Sequence, residues 1–244
     1  MDNPFLSFCL PAFNEEKLLP ISLSNINNIR RELLLKGISS ELIVCDNNST
    51  DRTAEIARSL DAELVFEPVN RIASARNAAA SKAEGVWLVF VDADTFPNLP
   101  LIEDMLSQIQ TRKIMGGGSV IRMEGISFHA KVLVWIWNLI SRLFHFSAGS
   151  FVFIDRQAFN ELTGFNSQMF AAEEIDFSRR AKALAKRQDL KWKILTRNPI
   201  LSSERKMSLY NFWEQLAPFY YYFRYGEKAF YDKSFCSFWY DGRR

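Results

Sequence analysis

Short apolar runs alternate with longer stretches of helical periodicity along the first half of the chain. Residues 5–10 (FLSFCL) are mostly apolar and close on Pro11, the length and flank of a buried strand. Over residues 17–36 the apolar positions Leu19, Leu23, Ile26 and Leu33 recur on one helix face, with Pro20 tolerable in the first turn. Residues 41–45 predict a second strand, 53–60 a helix and 62–66 a third strand. The polar turn at 46–51 offers Ser49 or Thr50 as a helix cap, with Asp51 facing the positive end of the helix dipole. Residues 71–83 are alanine-rich and read as a helix ended at Gly85, and residues 86–91 follow as a fourth strand. That strand is apolar at successive positions, so it is expected to be central and covered on both faces.

Strands alternating with helices at this interval predict βαβ units and a Rossmann-like, mainly parallel α/β sheet flanked by helices. In such sheets ligands bind beyond the carboxyl ends of the strands. Polar clusters fall at three such ends: Asn14 and Glu15, then Asp46 to Asp51, then Asp92 and Asp94. The second half is less regular. Residues 99–111 read as a helix, and 113–122 as a strand whose Gly116, Gly117 and Gly118 imply close backbone approach. An aromatic amphipathic helix is expected over 128–146 and a strand over 151–154. A short helix capped by Asp155 and stopped at Gly164 comes next, then a helix over 170–187 and a strand over 192–195.

Composition narrows the class. A chain of 244 residues suits one large domain, or one domain with an extension. With 48% hydrophobic and 24% charged residues it can bury a sizeable core, which sets global disorder aside. The net charge of +2 lends no support to nucleic-acid binding. Cys9, Cys45 and Cys236 form no C-x-x-C pair, and an odd number without a secretion signal points to a reducing compartment. His129 and His145 are too isolated for a zinc site. The N-terminus lacks the basic start and apolar core of a signal peptide. No run reaches the roughly 18 apolar residues of a membrane span. The expectation is a cytoplasmic protein, or one attached to a membrane surface without crossing it.

The strand ends carry the chemistry. Asp92-Ala93-Asp94 puts two carboxylates just past a buried strand, where both can turn toward one point. A hard cation such as Mg²⁺ or Mn²⁺ takes oxygen ligands and shares them with substrate phosphates. Asp46 can accept the imide N–H of a base, although its turn also reads as a helix cap. Asn14 and Glu15 can contact a nucleoside, or Asn14 can cap the first helix. Arg76 is placed to reach a phosphate, or to lie on a solvated helix face with Arg71. Glu173, Glu174 and Asp176 crowd one short stretch; like charges this close suit one carboxylate to act as a general base. An acidic first turn of a helix is the plainer reading.

Together these pieces resemble the family 2 glycosyltransferases, which have the GT-A fold. The marks stand in order: LPAFNEE at 10–16, CDNNSTD at 45–51, RNAAASKAEG at 76–85, FVDADT at 90–95 and GFNSQMFAAEEIDFSRR at 164–180. The resemblance spans roughly residues 5–187 and implies a GT-A domain over 1–204, followed by an aromatic-rich helical extension over 205–244. It implies a donor site for a UDP- or GDP-sugar. Pro11, Phe13, Glu15 and Asp46 would line the nucleoside pocket with Asn48 nearby. Arg76, Asp92 and Ala93 would face the ribose and diphosphate, and Asp94 would ligate Mg²⁺ or Mn²⁺. It also implies an inverting displacement with a carboxylate base. The family's usual Glu-Asp pair is Glu173-Glu174 here, so Glu174 matches the base and Glu173 stays in contention. The Gln-x-x-Arg-Trp motif of processive members is absent, which favours a single transfer.

The basic run from Arg179 to Lys206 is expected to make one face positive, either as a solvated helix or as a surface for phosphates or anionic lipid. The tail's Phe, Tyr and Trp residues fit packing on the body, a partner subunit or a membrane interface. Two other readings compete. A sugar-phosphate nucleotidyltransferase needs a Gly-rich, basic loop after the first strand, where this chain has Pro-Ala-Phe-Asn-Glu-Glu. A non-catalytic binder of nucleotide sugar or lipid would keep the fold without turnover. The acceptor and the oligomeric state are not written in the sequence.

Overall fold

The computed structural model describes residues 4–205, 209–210, 212–236 and 240. One sheet of eight strands runs through it in the order β3-β2-β1-β4-β7-β6-β8-β5. The strands are β1 (Leu6–Ala12), β2 (Ser40–Asp46), β3 (Glu63–Phe66), β4 (Trp87–Val91), β5 (Thr95–Phe96), β6 (Ile114–Arg122), β7 (Phe151–Asp155) and β8 (Lys191–Ser202). The helices are α1 (Leu19–Leu35), α2 (Thr53–Ser59), α3 (Ile72–Lys82), α4 (Leu99–Gln110), α5 (Phe128–Phe144), α6 (Arg156–Glu161), α7 (Glu173–Arg187) and α8 (Phe212–Tyr225).

The four N-terminal strands pair in parallel, as the alternation of elements predicts. Beyond β4 the sheet is mixed: β7 runs antiparallel to both β4 and β6, while β6 and β8 are parallel. The α/β, mainly parallel reading therefore holds for the first half and needs an antiparallel insertion in the second.

Alternation along β1 sorts its side chains into two layers. Leu6, Phe8 and Leu10 pack with the apolar faces of α1 and α4. Cys9 packs with Ile43, Phe90 and the alanines of α3, a layer that α6 and α7 complete. Burial of a side chain such as Phe8 contributes about 1.5–3 kcal/mol. All of β4 is buried, as expected for a strand covered on both faces.

The triple glycine of β6 meets neighbouring backbone. A Cβ on Gly117 would lie 1.7 Å from the Lys193 carbonyl oxygen on β8. The close approach expected there is to the adjacent strand. One cap and one helix start differ from expectation. Ser49 Oγ accepts the amide of Asn14 instead of capping α2, and the Thr53 amide goes to Asp51 Oδ1 at 2.9 Å. Helix α7 starts at Glu173 rather than 170, because Ala172 takes the left-handed conformation with φ 59°. Asp155 does cap α6, accepting the Ala158 amide at 3.0 Å.

The extension packs on the body in part. The Phe170 amide donates to the Phe230 carbonyl at 2.7 Å, and Arg179 pairs with Glu227. Cys236 and Ala229 are buried, while Trp213, Tyr220 and Phe223 are exposed. Among the described residues no helix is long and apolar enough to cross a membrane.

Candidate active site

The carboxyl edge of the parallel strands gathers the acidic residues. Ala12 at the end of β1 stands beside Asp46 at the end of β2, and Cys9 is level with Phe90 on β4. Glu15, Asp46, Asp92 and Asp94 therefore leave the sheet along one edge. The loops there are tied to one another. The amide of Glu15 donates to Thr53 Oγ1 at 2.8 Å, and Asn14 Oδ1 accepts the Thr50 amide at 2.8 Å. Asn14 thus joins two strand-end loops rather than capping α1, and it adopts a left-handed φ of 52° to do so. Asp46 Oδ1 accepts the Ser49 amide at 3.0 Å. Asn48 is exposed, bonded to Asn70; Pro11 and Phe13 are half-buried at the same edge.

Arg76 crosses beneath this edge. The small alanines of α3 let the helix lie close on the sheet, so that the Arg76 side chain is only 2% exposed. Its Nη2 donates to Asp92 Oδ1 at 2.8 Å and to the Gly149 carbonyl at 3.2 Å, and its Nη1 donates to Glu173. A Cβ at Gly149 would lie 2.5 Å from that guanidinium. The phosphate-facing or solvated alternatives for Arg76 give way to a third: it is a buried bridge between the DAD loop and the first residue of α7. Burial would lower the Arg76 pKa, but Asp92 and Glu173 outweigh it and hold the charge in place.

The two glutamates at the start of α7 are not equivalent. Glu173 is 3% exposed and bound to Arg76. Glu174 is half-buried. Burial first, and then the neighbouring Glu173 carboxylate, push the Glu174 carboxyl up to about 8, against the opposing pull of Arg76. A carboxyl raised in this way can exchange a proton near neutral pH. Asp176 turns instead to Arg180, 2.8 Å away on the next turn.

Arg205 was not singled out as a site residue by its sequence context, where it is one of many cations in a basic run. It forms a two-pronged pair with Glu15, at 2.8 and 2.7 Å, and reaches Asp94 Oδ2 at 3.2 Å. The cause is β5. Thr95 pairs with Ser202, and the Ser203 amide donates to the Asp94 carbonyl at 3.0 Å, so the DAD loop is stitched to the end of β8. Burial would lower the Arg205 pKa; the Glu15 and Asp94 carboxylates more than offset it and leave it raised.

Asp92 and Asp94 consequently face different cations, Arg76 and Arg205. Among the described residues no group of three His, Cys, Asp or Glu side chains forms a metal cage. Asp94 alone still fits Mg²⁺ or Mn²⁺, which bind through one or two carboxylates and complete their shell with phosphate and water. Its carboxylate already attracts a cation, the Arg205 guanidinium.

Known proteins are similar to this chain in sequence and in fold. An uncharacterized glycosyltransferase of Haemophilus influenzae is 31% identical over 127 residues, covering 49% of this chain and 48% of its own. The matched segment thus spans about half of that relative. Among solved structures, S. aureus TarS 1-349 in complex with UDP-GlcNAc superposes with a TM-score of 0.64 at 17% identity, over 88% of this chain and 65% of that one. The mannosyltransferase PcManGT from Pyrobaculum calidifontis, in complex with GDP-Man and Mn²⁺, gives a TM-score of 0.64 at 19% identity, over 89% and 61%. The fold is that of the GT-A glycosyltransferases. The Glycosyl transferase family 2 model matches residues 7–171, through the strand-end loops and the DAD loop alike, and the chain belongs to that family.

Proposed function

We propose that this glycosyltransferase is an inverting, divalent-metal-dependent enzyme. It would transfer a hexose from a UDP- or GDP-sugar to a hydroxyl of a glycan, lipid or cell-envelope component. The observation that carries the reading is the Arg76 bridge. It links Asp92 at the donor edge to Glu173 and brings Glu174 into electrostatic reach of both. The solved relatives named above with UDP-GlcNAc and with GDP-Man and Mn²⁺ support a nucleotide-sugar donor and a divalent ion.

Position at the strand-end edge supports a set of roles. Pro11, Phe13, Glu15, Asp46 and Asn48 line the base and ribose end of the donor. Asp92 and Ala93, braced by Arg76, border its diphosphate. Asp94 would hold Mg²⁺ or Mn²⁺, which when bound would neutralise the charge on the departing diphosphate. Arg205 yields Asp94 as the donor arrives. Glu174, ionised, takes the proton of the acceptor hydroxyl as that oxygen bonds to the anomeric carbon. The bond from that carbon to the diphosphate breaks on the opposite face, and the nucleoside diphosphate leaves with both electrons. Glu173, committed to Arg76, holds the wall against which Glu174 works. The setting is cytoplasmic, with the tail's exposed aromatics available to a membrane surface.

Thermal-shift titration with UDP, GDP and their sugars, with and without Mn²⁺, tests the donor half. A metal-dependent shift that disappears in Asp94→Ala is the expected result. No shift with any nucleotide would sink the reading. Donor hydrolysis or transfer by wild type, and its loss in Glu174→Gln, separates an enzyme from a non-catalytic binder of the same fold.

A further inference from the structure

Helix α5 turns its most apolar side away from the protein. Phe128, Val132, Trp135, Ile136, Leu139 and Leu143 fall within about 100° of arc at 3.6 residues per turn. Phe128 is 75% exposed, Trp135 64% and Leu143 65%. The side turned inward carries Ala130, Asn138 and Ser141. Ala130 and Ser141 are buried, and Asn138 holds both the amide and the carbonyl of Ile121 at 2.9 and 2.8 Å. The helix is thus fastened to β6 through Asn138 and packed through Ala130 and Ser141, with half-buried Val134 and Trp137 beside them, while in the stripe Phe128, Trp135 and Leu143 stay mostly exposed and Leu139 is half-buried. A contiguous exposed stripe of this kind marks an interaction surface.

The charges along the stripe identify the occupant. Lys131 and Arg142 are both exposed and stand about 20° apart around the axis, a single row along one edge of the stripe. No Asp or Glu lies within α5. Beyond its C-terminal end, Lys182 and Arg179 gather over the Phe146 ring at 4.3 and 5.7 Å, with Arg179 also paired to Glu227. An apolar stripe bearing Trp, edged by Lys131 and Arg142 and with no acidic residue in its own helix, is complementary to an anionic lipid interface. We propose that α5 docks the protein on an anionic membrane surface, lying in the interfacial plane with Phe128, Trp135 and Leu143 inserted at the acyl boundary. The chain continues from this helix to Gly149, whose carbonyl takes Arg76, so the docked helix adjoins the site in sequence. The docking itself does not depend on the transfer reaction.

The test is co-sedimentation of the full chain with phosphatidylcholine vesicles, with and without phosphatidylglycerol. Wild type should pellet with the anionic vesicles and on the order of tenfold less with the neutral ones. Trp135→Ser/Leu143→Ser should abolish pelleting while leaving the melting temperature unchanged. Lys131→Glu/Arg142→Glu should remove the dependence on phosphatidylglycerol. Brominated lipid should quench a part of the tryptophan emission that Trp135→Phe lacks. The proposal is overturned if wild type does not pellet, or if pelleting survives in Trp135→Ser/Leu143→Ser and is lost in Trp213→Ser/Phe223→Ser. It is equally overturned by a concentration-dependent dimer that the Trp135→Ser/Leu143→Ser change dissolves, since the stripe would then belong to a second copy.

Discussion

Arg76 and Arg205 each grip two carboxylates, from different halves of the chain and at different depths. Arg76 is 2% exposed and rises from the middle of α3, with Gly149 pressed against its guanidinium and the Phe165 ring 5.3 Å away. Arg205 is 15% exposed and lies past the last residue of β8. The partners differ as well. Removing Arg76 would leave Glu173 as a buried charge without its cation. Glu15 and Asp94 border the strand-end edge, where a ligand's cation can replace Arg205. On the proposed reading one arginine frames the site, and the other gives way to what enters it.

The sharpest break in this comparison comes from the glutamates that Arg76 separates. Glu174→Gln should lower transfer by about 10²–10⁴-fold, the usual contribution of a positioned general base, with donor-induced thermal shifts retained. Glu173→Gln should keep more activity and lose more stability. If instead Glu173→Gln abolishes turnover in a fully stable protein, Arg76 does not commit Glu173 as described.

Next in size is the stability contrast between the arginines. Arg76→Met should cost about 3–5 kcal/mol in urea unfolding, the range for stranding one partner of a buried ion pair. Arg205→Met should cost less, and it should raise the affinity of Mn²⁺ alone by roughly tenfold, or about 1.4 kcal/mol, because the guanidinium no longer competes for Asp94. Calorimetric titration with Mn²⁺ measures this directly. Weaker Mn²⁺ binding in Arg205→Met would make Arg205 a supporter of the ion and not its placeholder.

The two arginines also divide what the sequence discloses. The frame was legible because β1 to β4 are short apolar runs spaced by amphipathic helices, and because polar residues cluster at their ends. Residue order alone fixed Glu15, Asp46, Asp92 and Asp94 on one edge. The direction of β7 was not legible, since an apolar run carries no sign of parallel or antiparallel pairing. Strand β5 is two residues long, shorter than any periodicity can register, yet its pairing helps bring Asp94 to the end of β8. Arg205 therefore looked like one more cation in a basic run. The start of α7 is illegible for a related reason: Ala172 holds a left-handed conformation that alanine rarely adopts, so no residue type announces it. Such strain is found where a site over-determines its backbone, and here it sets Glu173 and Glu174 at the head of the helix.

The smallest effect is a shift along the pH axis, and it sharpens the division between the two glutamates. With its carboxyl pushed up from 4.5 to about 8 by burial and by Glu173, Glu174 is protonated in the free enzyme at neutral pH. A base must be ionised, so single-turnover transfer should rise with pH through about 8 and level off above it. Stability should move the other way. Between 4.5 and about 8 the folded protein holds a proton that the unfolded chain has released, so this group's contribution is full at low pH and is lost as pH rises through the folded value. Glu173→Gln removes the like charge and leaves Arg76 freer to favour the Glu174 carboxylate, which should carry the rising limb to lower pH. The residual activity of Glu174→Gln should show no limb in this range. A limb that stays near 8 in that variant would assign the titration to another group, and with it the base.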